Sequence, residues 1–446
     1  MKFIKENYFL MIMMLFTFVY TYVDVGIRYN FFLLSLFLGI GLLSLYGLFL
    51  SVDTHPISLN KTFCLFNYFF FSIAPTTQFK HNLVFFDSVK SINDTLYIKG
   101  ATLLLGILIL YLILYRFLYV YFDKIKSEVQ NNGKAVSKFE NGILLIGISA
   151  VSVVFYLYLI KFNWDLLITR PFIFRLKYNT NLGLVGYAIL SVVQLLPFVC
   201  FMYYKLRNPI NDKKTYILLF MILVICFPTS LSRGILATLY IPLFLVFIPI
   251  LNEKRYYIKM YLFGLLVLFP LFNNFRDVYK GSYDFNFHLF NTGHFDAFQN
   301  FVFLLDEKVV TNGRQLLGSI FFFIQESQWN NRPMGTGTLI AQKLGYNYTN
   351  VSMPFFGEGY ANYGYFGILL FLIIITFFNA FLDNRYAKGR ISSLLKLIFY
   401  IFLGFEFYLL RGDLYSSIKI LSSFGLALLI IELLNYYNKK GAKVYE

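Results

Sequence analysis

The amino-acid sequence predicts an all-α integral membrane protein with about 12 transmembrane helices and one large extracytoplasmic loop. Of its 446 residues, 58% are hydrophobic and only 14% are charged. Soluble domains carry about 25% charged residues, so this chain has too little polar surface to fold alone in water. A soluble enzyme and a disordered protein are therefore excluded. A nucleic-acid partner is not expected either, because the net charge of +16 is accounted for by orientation in a membrane.

Twelve apolar segments approach the length of about 20 residues that crosses a bilayer. The third ends at Pro75, which leaves a tilted, a broken and a re-entrant helix open. No small-residue cleavage site follows the first segment, so we expect an uncleaved span and a single polytopic domain over residues 1–446. The segments are 8–23, 31–50, 64–77, 100–122, 141–161, 182–203, 215–231, 235–251, 258–275, 365–382, 392–410 and 416–437.

Lysine and arginine residues orient this bundle. With the N-terminus inside, the cytoplasmic segments hold about 19 Lys and Arg in about 73 residues, against about 15 in about 146 residues outside. The positive-inside rule therefore predicts that both termini are cytoplasmic.

The one long segment between predicted spans, 276–364, then lies outside the membrane. Loops longer than about 15 residues are usually functional or disordered. This loop contains two apolar stretches of helical length, 298–305 and 315–325, so we predict that it is ordered and partly helical. The two stretches are expected either to lie along the membrane face or to cap the bundle.

Three arginines fall at predicted outer ends of spans: Arg233, Arg276 and Arg411. The planar guanidinium group donates paired hydrogen bonds and does not lose its charge, which suits it to phosphate. Three such groups at one membrane surface are expected to bind a lipid diphosphate, with Arg314 as a fourth candidate. The alternative is that each arginine reaches for lipid headgroups independently.

The second half of the loop, residues 326–367, is rich in glycine and aromatic residues. Aromatic rings beside polar side chains are typical of sugar-binding clefts. The candidates are Trp329, Arg332, Tyr360 and Asn362. The alternative is an aromatic belt at the membrane interface.

Three residues are candidates for a general base. Glu358 stands between two glycines just ahead of a span, Asp277 follows Arg276, and His294 lies within the loop. The alternatives are a solvated helix end for Glu358 and a surface hydrogen bond for His294. Within the spans, Glu406 lies five residues before Arg411 and is placed to face the same cavity.

No metal and no cofactor is expected. The histidines form no ligand pair at helical spacing with another His, Asp or Cys. Cys64, Cys200 and Cys226 all lie in apolar segments, where buried and unreactive thiols are predicted.

The chain resembles the Wzy-type oligosaccharide repeat-unit polymerases of bacteria, which make O-antigens and capsules. The Trp-to-Gly block followed by the Gly-Glu block before a span is the most specific part of the resemblance. Similar proteins often carry Pro-Arg where this sequence has Gln325-Glu326. The resemblance rests on FNYFFFSIAPTTQF (66–79), SRG (232–234), FRDVYKG (275–281), HFDAFQNFVFLL (294–305), NGRQLLGSIFFFIQ (312–325), WNNRPMGTG (329–337) and GEGYANYGYFG (357–367).

This resemblance implies a GT-C-like glycosyltransferase of the bacterial plasma membrane that needs neither nucleotide sugar nor metal. The growing glycan, carried on undecaprenyl diphosphate, would be transferred to a new lipid-linked repeat unit at the outer face. A flippase and a chain-length regulator of the same pathway are the implied protein partners. An O-antigen ligase and a flippase or transporter of the lipid-linked unit are the alternatives, and a transporter should show broken helices at the membrane midplane.

Overall fold

The computed structural model describes residues 2–23, 26–49, 55–125, 142–168, 184–253, 256–268, 270–271, 289–325 and 327–442. These residues form helices, and no strand occurs among them. The first nine helices are α1 (Lys2–Tyr22), α2 (Phe31–Phe49), α3 (59–80), α4 (Asp94–Lys124), α5 (Gly142–Leu159), α6 (Leu184–Arg207), α7 (Lys213–Ile225), α8 (Arg233–Phe247) and α9 (Tyr256–Phe263, continued by a π-helical turn, Gly264–Leu268).

Six further helices complete the described chain: α10 (Ala297–Asp306), α11 (Arg314–Ile320), α12 (Thr336–Lys343), α13 (Phe355–Ala387), α14 (Ser393–Arg411) and α15 (Leu414–Ala442). Single helical turns occur at Asp165–Ile168, Pro249–Asn252, Leu289–Asn291 and Gly293–Phe295.

Every one of the twelve predicted segments overlaps a helix in the described residues, which confirms a helical membrane protein. Seven described helices are long and apolar enough to cross a bilayer: α2, α4, α5, α6, α13, α14 and α15. Three shorter apolar helices lie at Tyr8–Tyr22, Arg233–Phe247 and Tyr256–Leu268. Twelve crossings and a GT-C-like arrangement stay predictions.

Helix α3, the third predicted segment, runs through the middle of the bundle without a break at Pro75. All of residues 59–80 are buried. Residues Tyr68–Ile73 form a π-helix, and the Ala74 N–H donates to the carbonyl oxygen of Phe69. Pro75 stands at the start of the α-helical turn that follows, where its missing N–H costs little. A break at Pro75 is therefore wrong.

Helices α8 and α14 pack antiparallel at a very short distance, which small residues allow. A Cβ atom on Gly404 would lie 2.3 Å from the carbonyl oxygen of Ala237, and one on Gly234 would lie 2.0 Å from the ring of Tyr408. Because the two contacts run in opposite chain directions, Arg233 at the start of α8 and Arg411 at the end of α14 lie at the same end of the bundle.

That end also carries residues 289–354, and we call it the outer end because the charge pattern predicts it to be extracytoplasmic. We call residues 289–354 the outer layer. Every residue of Ala297–Leu305 in α10 is buried, so this stretch caps the bundle and does not lie along the membrane face. The Gln78 amide, at the outer end of α3, donates to the carbonyl oxygens of Phe290 (3.1 Å) and Phe295 (3.0 Å).

The second apolar stretch of the loop is helical only over Arg314–Ile320. The side chains of Leu317, Ile320, Phe321 and Phe323 are exposed. This part of the outer layer thus presents an apolar surface beside α15. The three cysteines are buried and free, as the sequence predicts.

The close packing of α8 and α14 generates a stability prediction. Gly404→Ala should lower the thermal unfolding temperature of the detergent-purified protein, because overpacking against Ala237 costs about 1–3 kcal/mol. Gly425→Ala is the matched control, since nothing lies within 4 Å of a Cβ there. The control should unfold at the wild-type temperature or slightly above it, because alanine favours a helix over glycine. Equal unfolding temperatures for the two variants would contradict the close contact.

Candidate functional site

The Gly-Glu block, GEGYANYGYFG, forms a sharp bend at the start of α13. Tyr363 and Gly364 leave the helical conformation, and Gly364 has φ +63°, which glycine adopts without strain. The bend brings the backbones of Gly359 and Gly367 together, since a Cβ on Gly367 would lie 1.9 Å from the carbonyl oxygen of Gly359. The short helix before the bend therefore carries Glu358 under the outer layer.

Glu358 is 1% exposed and is bonded through both carboxyl oxygens. Oε2 accepts a hydrogen bond from the Thr336 hydroxyl (2.6 Å), and Oε1 accepts one from the Leu414 N–H (3.0 Å). Thr336 begins α12 and Leu414 begins α15. Glu358 thus connects the bend in α13 to the starts of two other helices.

Asp413 lies beside Glu358 and makes the same kind of contacts. Its Oδ2 accepts from the Gly337 N–H (2.9 Å) and its Oδ1 from the Tyr415 N–H (2.8 Å). Burial raises the pKa of Asp413, against the opposing effect of these N–H donors. The two carboxyl groups therefore sit between the N-termini of α12 and α15, where the helix dipoles favour negative charge.

The glycines of the MGTG stretch allow the outer layer to approach this pair. A Cβ on Gly335 would lie 2.3 Å from the Asp413 Oδ2 atom, and one on Gly337 would lie 2.3 Å from the carbonyl oxygen of Val351. A side chain is excluded at Gly335 by the Asp413 carboxylate and at Gly337 by the backbone of Val351. These contacts account for Gly335, just before α12, and for Gly337, in its first turn.

Arg411 joins the bundle to the part of the outer layer that contains His294. Its Nε donates to the His294 carbonyl oxygen (2.8 Å), and its guanidinium group pairs with Asp296 (3.3 Å). Asp296 is buried and also accepts from the Ser352 N–H (3.1 Å) and the Asn300 amide (2.9 Å). Arg411 is therefore held in place by a buried carboxylate, while a third of its side chain remains exposed.

Arg332, in the outer layer, contacts the turn that contains Arg411. Its guanidinium group donates to the carbonyl oxygen of Ile324 (2.9 Å) and to the Tyr415 hydroxyl, and it lies 5.2 Å from the Tyr415 ring centre. Residues 411–415, which we call the 411–415 turn, thus have one arginine within them and a second stacked on their last residue.

The other predicted diphosphate ligands are distributed as follows. Arg233 is the first residue of α8, at the outer end, and Arg314 is exposed and donates to the Asn331 carbonyl oxygen (2.6 Å). Arg276 lies outside the described residues, as does Asp277, the predicted base. Two of the four arginines therefore lie at ends of the closely packed helices α8 and α14.

The predicted sugar ligands differ in exposure. Trp329 is half-buried in the outer layer. Tyr360 is buried and packs edge-on against the Tyr365 ring, with ring centres 5.4 Å apart. Asn362 is buried, and its amide accepts from the Leu316 N–H (2.7 Å) and donates to the Glu358 carbonyl oxygen (2.9 Å). Asn362 thus holds α11 against the bend in α13.

Two important acids of this site, Asp413 and Asp296, are absent from the sequence-based candidates. Asp413 carries a local signal, because Asp just before a helix is a preferred N-cap. Asp296 carries none, since its partners Arg411 and Ser352 are distant in the chain. Among the described residues, no three His, Cys, Asp or Glu side chains are grouped as metal ligands.

Comparison of the chain with protein-family models, with curated proteins and with solved structures finds no match. The site is a cationic surface, formed by Arg411 and Arg332, over the buried Glu358 and the half-buried Asp413, at the end of the bundle that also carries Arg233.

The contact at Gly335 predicts how the outer layer is held. Gly335→Ala should push the layer away from Asp413 and speed amide hydrogen exchange in α12 by about tenfold, the factor for about 1.4 kcal/mol of local stability. Lys343→Ala in the same helix is the control, because that side chain is exposed and its loss should leave the exchange unchanged. Wild-type exchange rates in the Gly335 variant would show that the layer is held in another way.

Proposed function

We propose that the chain is a Wzy-type glycosyltransferase that polymerises lipid-linked repeat units at the outer face of a bacterial plasma membrane. The observation that supports this most directly is the 411–415 turn. It combines the guanidinium groups of Arg411 and Arg332 with the half-buried Asp413 beneath an ordered outer layer. The proposal includes cytoplasmic termini and undecaprenyl diphosphate as the lipid carrier.

The arginines are proposed to bind the diphosphate. In glycosyl transfer, a hydroxyl group of the new unit attacks the anomeric carbon of the growing chain, and lipid diphosphate leaves. Negative charge on the leaving group rises in the transition state, so fixed cations beside it lower the barrier. Arg411 suits this role because its ion pair with Asp296 fixes its position and part of it stays exposed. Arg233 and Arg276 are proposed as the other ligands.

Glu358 is proposed to orient the acceptor side of the site. Both of its oxygens accept hydrogen bonds from protein groups, so its contacts favour holding Thr336 and α12 over direct contact with a sugar. Asp277 and His294 are then the proposed bases. A base is needed only late in the reaction, because a sugar hydroxyl is a weak acid that gives up its proton as the new bond forms.

Trp329 is proposed as the main contact for the sugar ring. It is half-buried, and it lies three residues before Arg332, whose contacts fix this part of the layer against the 411–415 turn. An aromatic face that remains open can stack on a pyranose. Tyr360 and Asn362 are proposed to support it from within, since both are buried.

The proposal predicts which substitutions shorten the surface glycan. In a host strain that lacks the gene, complementation with Arg233→Ala, Arg276→Ala or Arg411→Ala should give mostly single repeat units. Loss of a charged hydrogen-bonding pair removes about 1.5–3 kcal/mol, or roughly tenfold to a hundredfold in rate. Glycan length is read on a gel, and protein amounts are compared by immunoblot.

Arg390→Ala provides the control for loss of a guanidinium group. Arg390 is exposed and lies in the turn between α13 and α14, at the opposite end of the bundle. This variant should make chains of normal length. If all three outer variants also make normal chains at normal protein amounts, the proposed diphosphate site is wrong.

A reconstituted reaction separates the proposal from its alternatives. Purified protein that receives only lipid-linked repeat units extracted from the deletion strain should produce a ladder of lengthening products. A ligase would leave these units unjoined without a different acceptor, and a transporter would only move them across vesicles.

A further inference from the structure

Glu406 is a carboxyl group inside the bundle that the proposed reaction does not use. It lies in α14, five residues before Arg411 and so about 7.5 Å from it along the helix axis. Its side chain is fully buried, and Oε1 accepts a hydrogen bond from the Asn379 amide of α13 (2.6 Å). Its other oxygen, Oε2, is buried with no hydrogen-bond partner among the described residues.

The side chain of Asn379 likewise has one polar atom that is bonded and one that is not, among the described residues. Its Nδ2 group contacts Glu406 and also donates to the Tyr111 hydroxyl (3.1 Å). Its Oδ1 atom is buried and has no hydrogen-bond partner in the part of the chain that the structure describes. An unpaired buried polar atom costs about 1–3 kcal/mol, so two on adjacent, bonded side chains require an explanation.

The groups that face Glu406 do not supply a counter-charge. Tyr111 of α4, Tyr257 and Tyr261 of α9, and Asp383 of α13 interact with it electrostatically. In the described residues that interact with this carboxyl, no Lys, Arg or His occurs. A carboxylate buried without a cation is strongly disfavoured in a membrane interior.

We propose that Glu406 is a proton-binding site, which holds one proton on Oε2 and forms a cyclic acid–amide pair with Asn379. A proton on Oε2 turns that oxygen into a donor, and Asn379 Oδ1 is the acceptor that lacks one. The pair then has two parallel hydrogen bonds, from Nδ2 to Oε1 and from Oε2 to Oδ1. One proton satisfies both unpaired atoms and removes the buried charge.

The acid–amide pair fastens α13 to α14 within the bundle. These two helices also carry Glu358 and Arg411 at the outer end. The proton-binding site rests on the contacts of Glu406 and Asn379 alone, so it does not depend on the reaction proposed above.

Glu406→Gln tests the proposal because a glutamine amide keeps both bonds without a titratable proton. Thermal unfolding of both detergent-purified proteins is compared from about pH 5.5 to about pH 8.5. The carboxyl group of a glutamate in an unfolded chain has a pKa of about 4.3 and loses its proton above that pH. In the folded wild type, Glu406 must keep its proton, so raising the pH favours unfolding of the wild type. The variant should therefore become increasingly more stable than the wild type, by about tenfold in the unfolding equilibrium per pH unit.

Glu432→Gln is the matched control for loss of one negative charge. The Glu432 side chain is 42% exposed and lies in α15, away from Asn379. The difference in stability between this variant and the wild type should not increase tenfold per pH unit. Infrared spectroscopy at neutral pH supplies an independent measurement, since wild type should show a protonated carboxylic acid band that Glu406→Gln lacks.

Three results would overturn the proposal. One is a stability difference between wild type and Glu406→Gln that is constant with pH. Another is identical carboxylic acid bands in the two proteins. The third is failure of Glu406→Gln to fold, because glutamine supplies every bond that the acid–amide pair requires.

Discussion

The outer end of this protein depends on how the 411–415 turn is bonded. Arg411 pairs with Asp296, Asp413 accepts from Gly337, the Leu414 N–H donates to Glu358, and Tyr415 meets Arg332. Four of the five residues of this turn thus hold separate parts of a layer of more than 60 residues, 289–354, and the bend in α13. A turn with so many fixed contacts has little freedom to move, which gives Arg411 a defined position at the outer end of the bundle.

Carboxyl groups with little exposure to water make the position of the outer layer specific as well as stable. Glu358 and Asp296 give up contact with water, and Asp413 gives up part of it, and all three regain hydrogen bonds from groups that only the folded chain brings together. Hydrogen bonds to charged groups contribute about 1.5–3 kcal/mol each, but an unpaired buried charge costs more. These hydrogen bonds therefore favour one position of the outer layer on the bundle, because a shift of the layer would separate a carboxylate from its donors.

Hydropathy was sufficient to predict the helices but not the contacts of their ends. An apolar segment favours a helix because a helix satisfies the backbone hydrogen bonds internally, as the interior of a bilayer demands, whatever the neighbours are. Of the tilted, broken and re-entrant helices that the sequence left open at Pro75, the broken one was wrong, because Pro75 stands at the start of an α-helical turn where its missing N–H costs little. Arg411 and Glu358 were identifiable from their positions at span ends, whereas Asp296 was not, since its partners are distant in the chain. The role of Asn362 was equally hidden, because its amide bonds depend on how α11 packs.

The two acidic sites on α13 and α14 differ in the source of their hydrogen-bond donors. Glu358 and Asp413 lie where two helices begin, so free N–H groups of α12 and α15 are available to them. Glu406 lies inside α14, where every nearby N–H is already used within a helix, so Asn379 and a proton must supply what helix ends supply elsewhere. Glu358 thus joins α13 to the start of α15 through an N–H donor at the outer end, whereas the acid–amide pair joins α13 to α14 within the bundle. This division follows from the position of each acid along its helix.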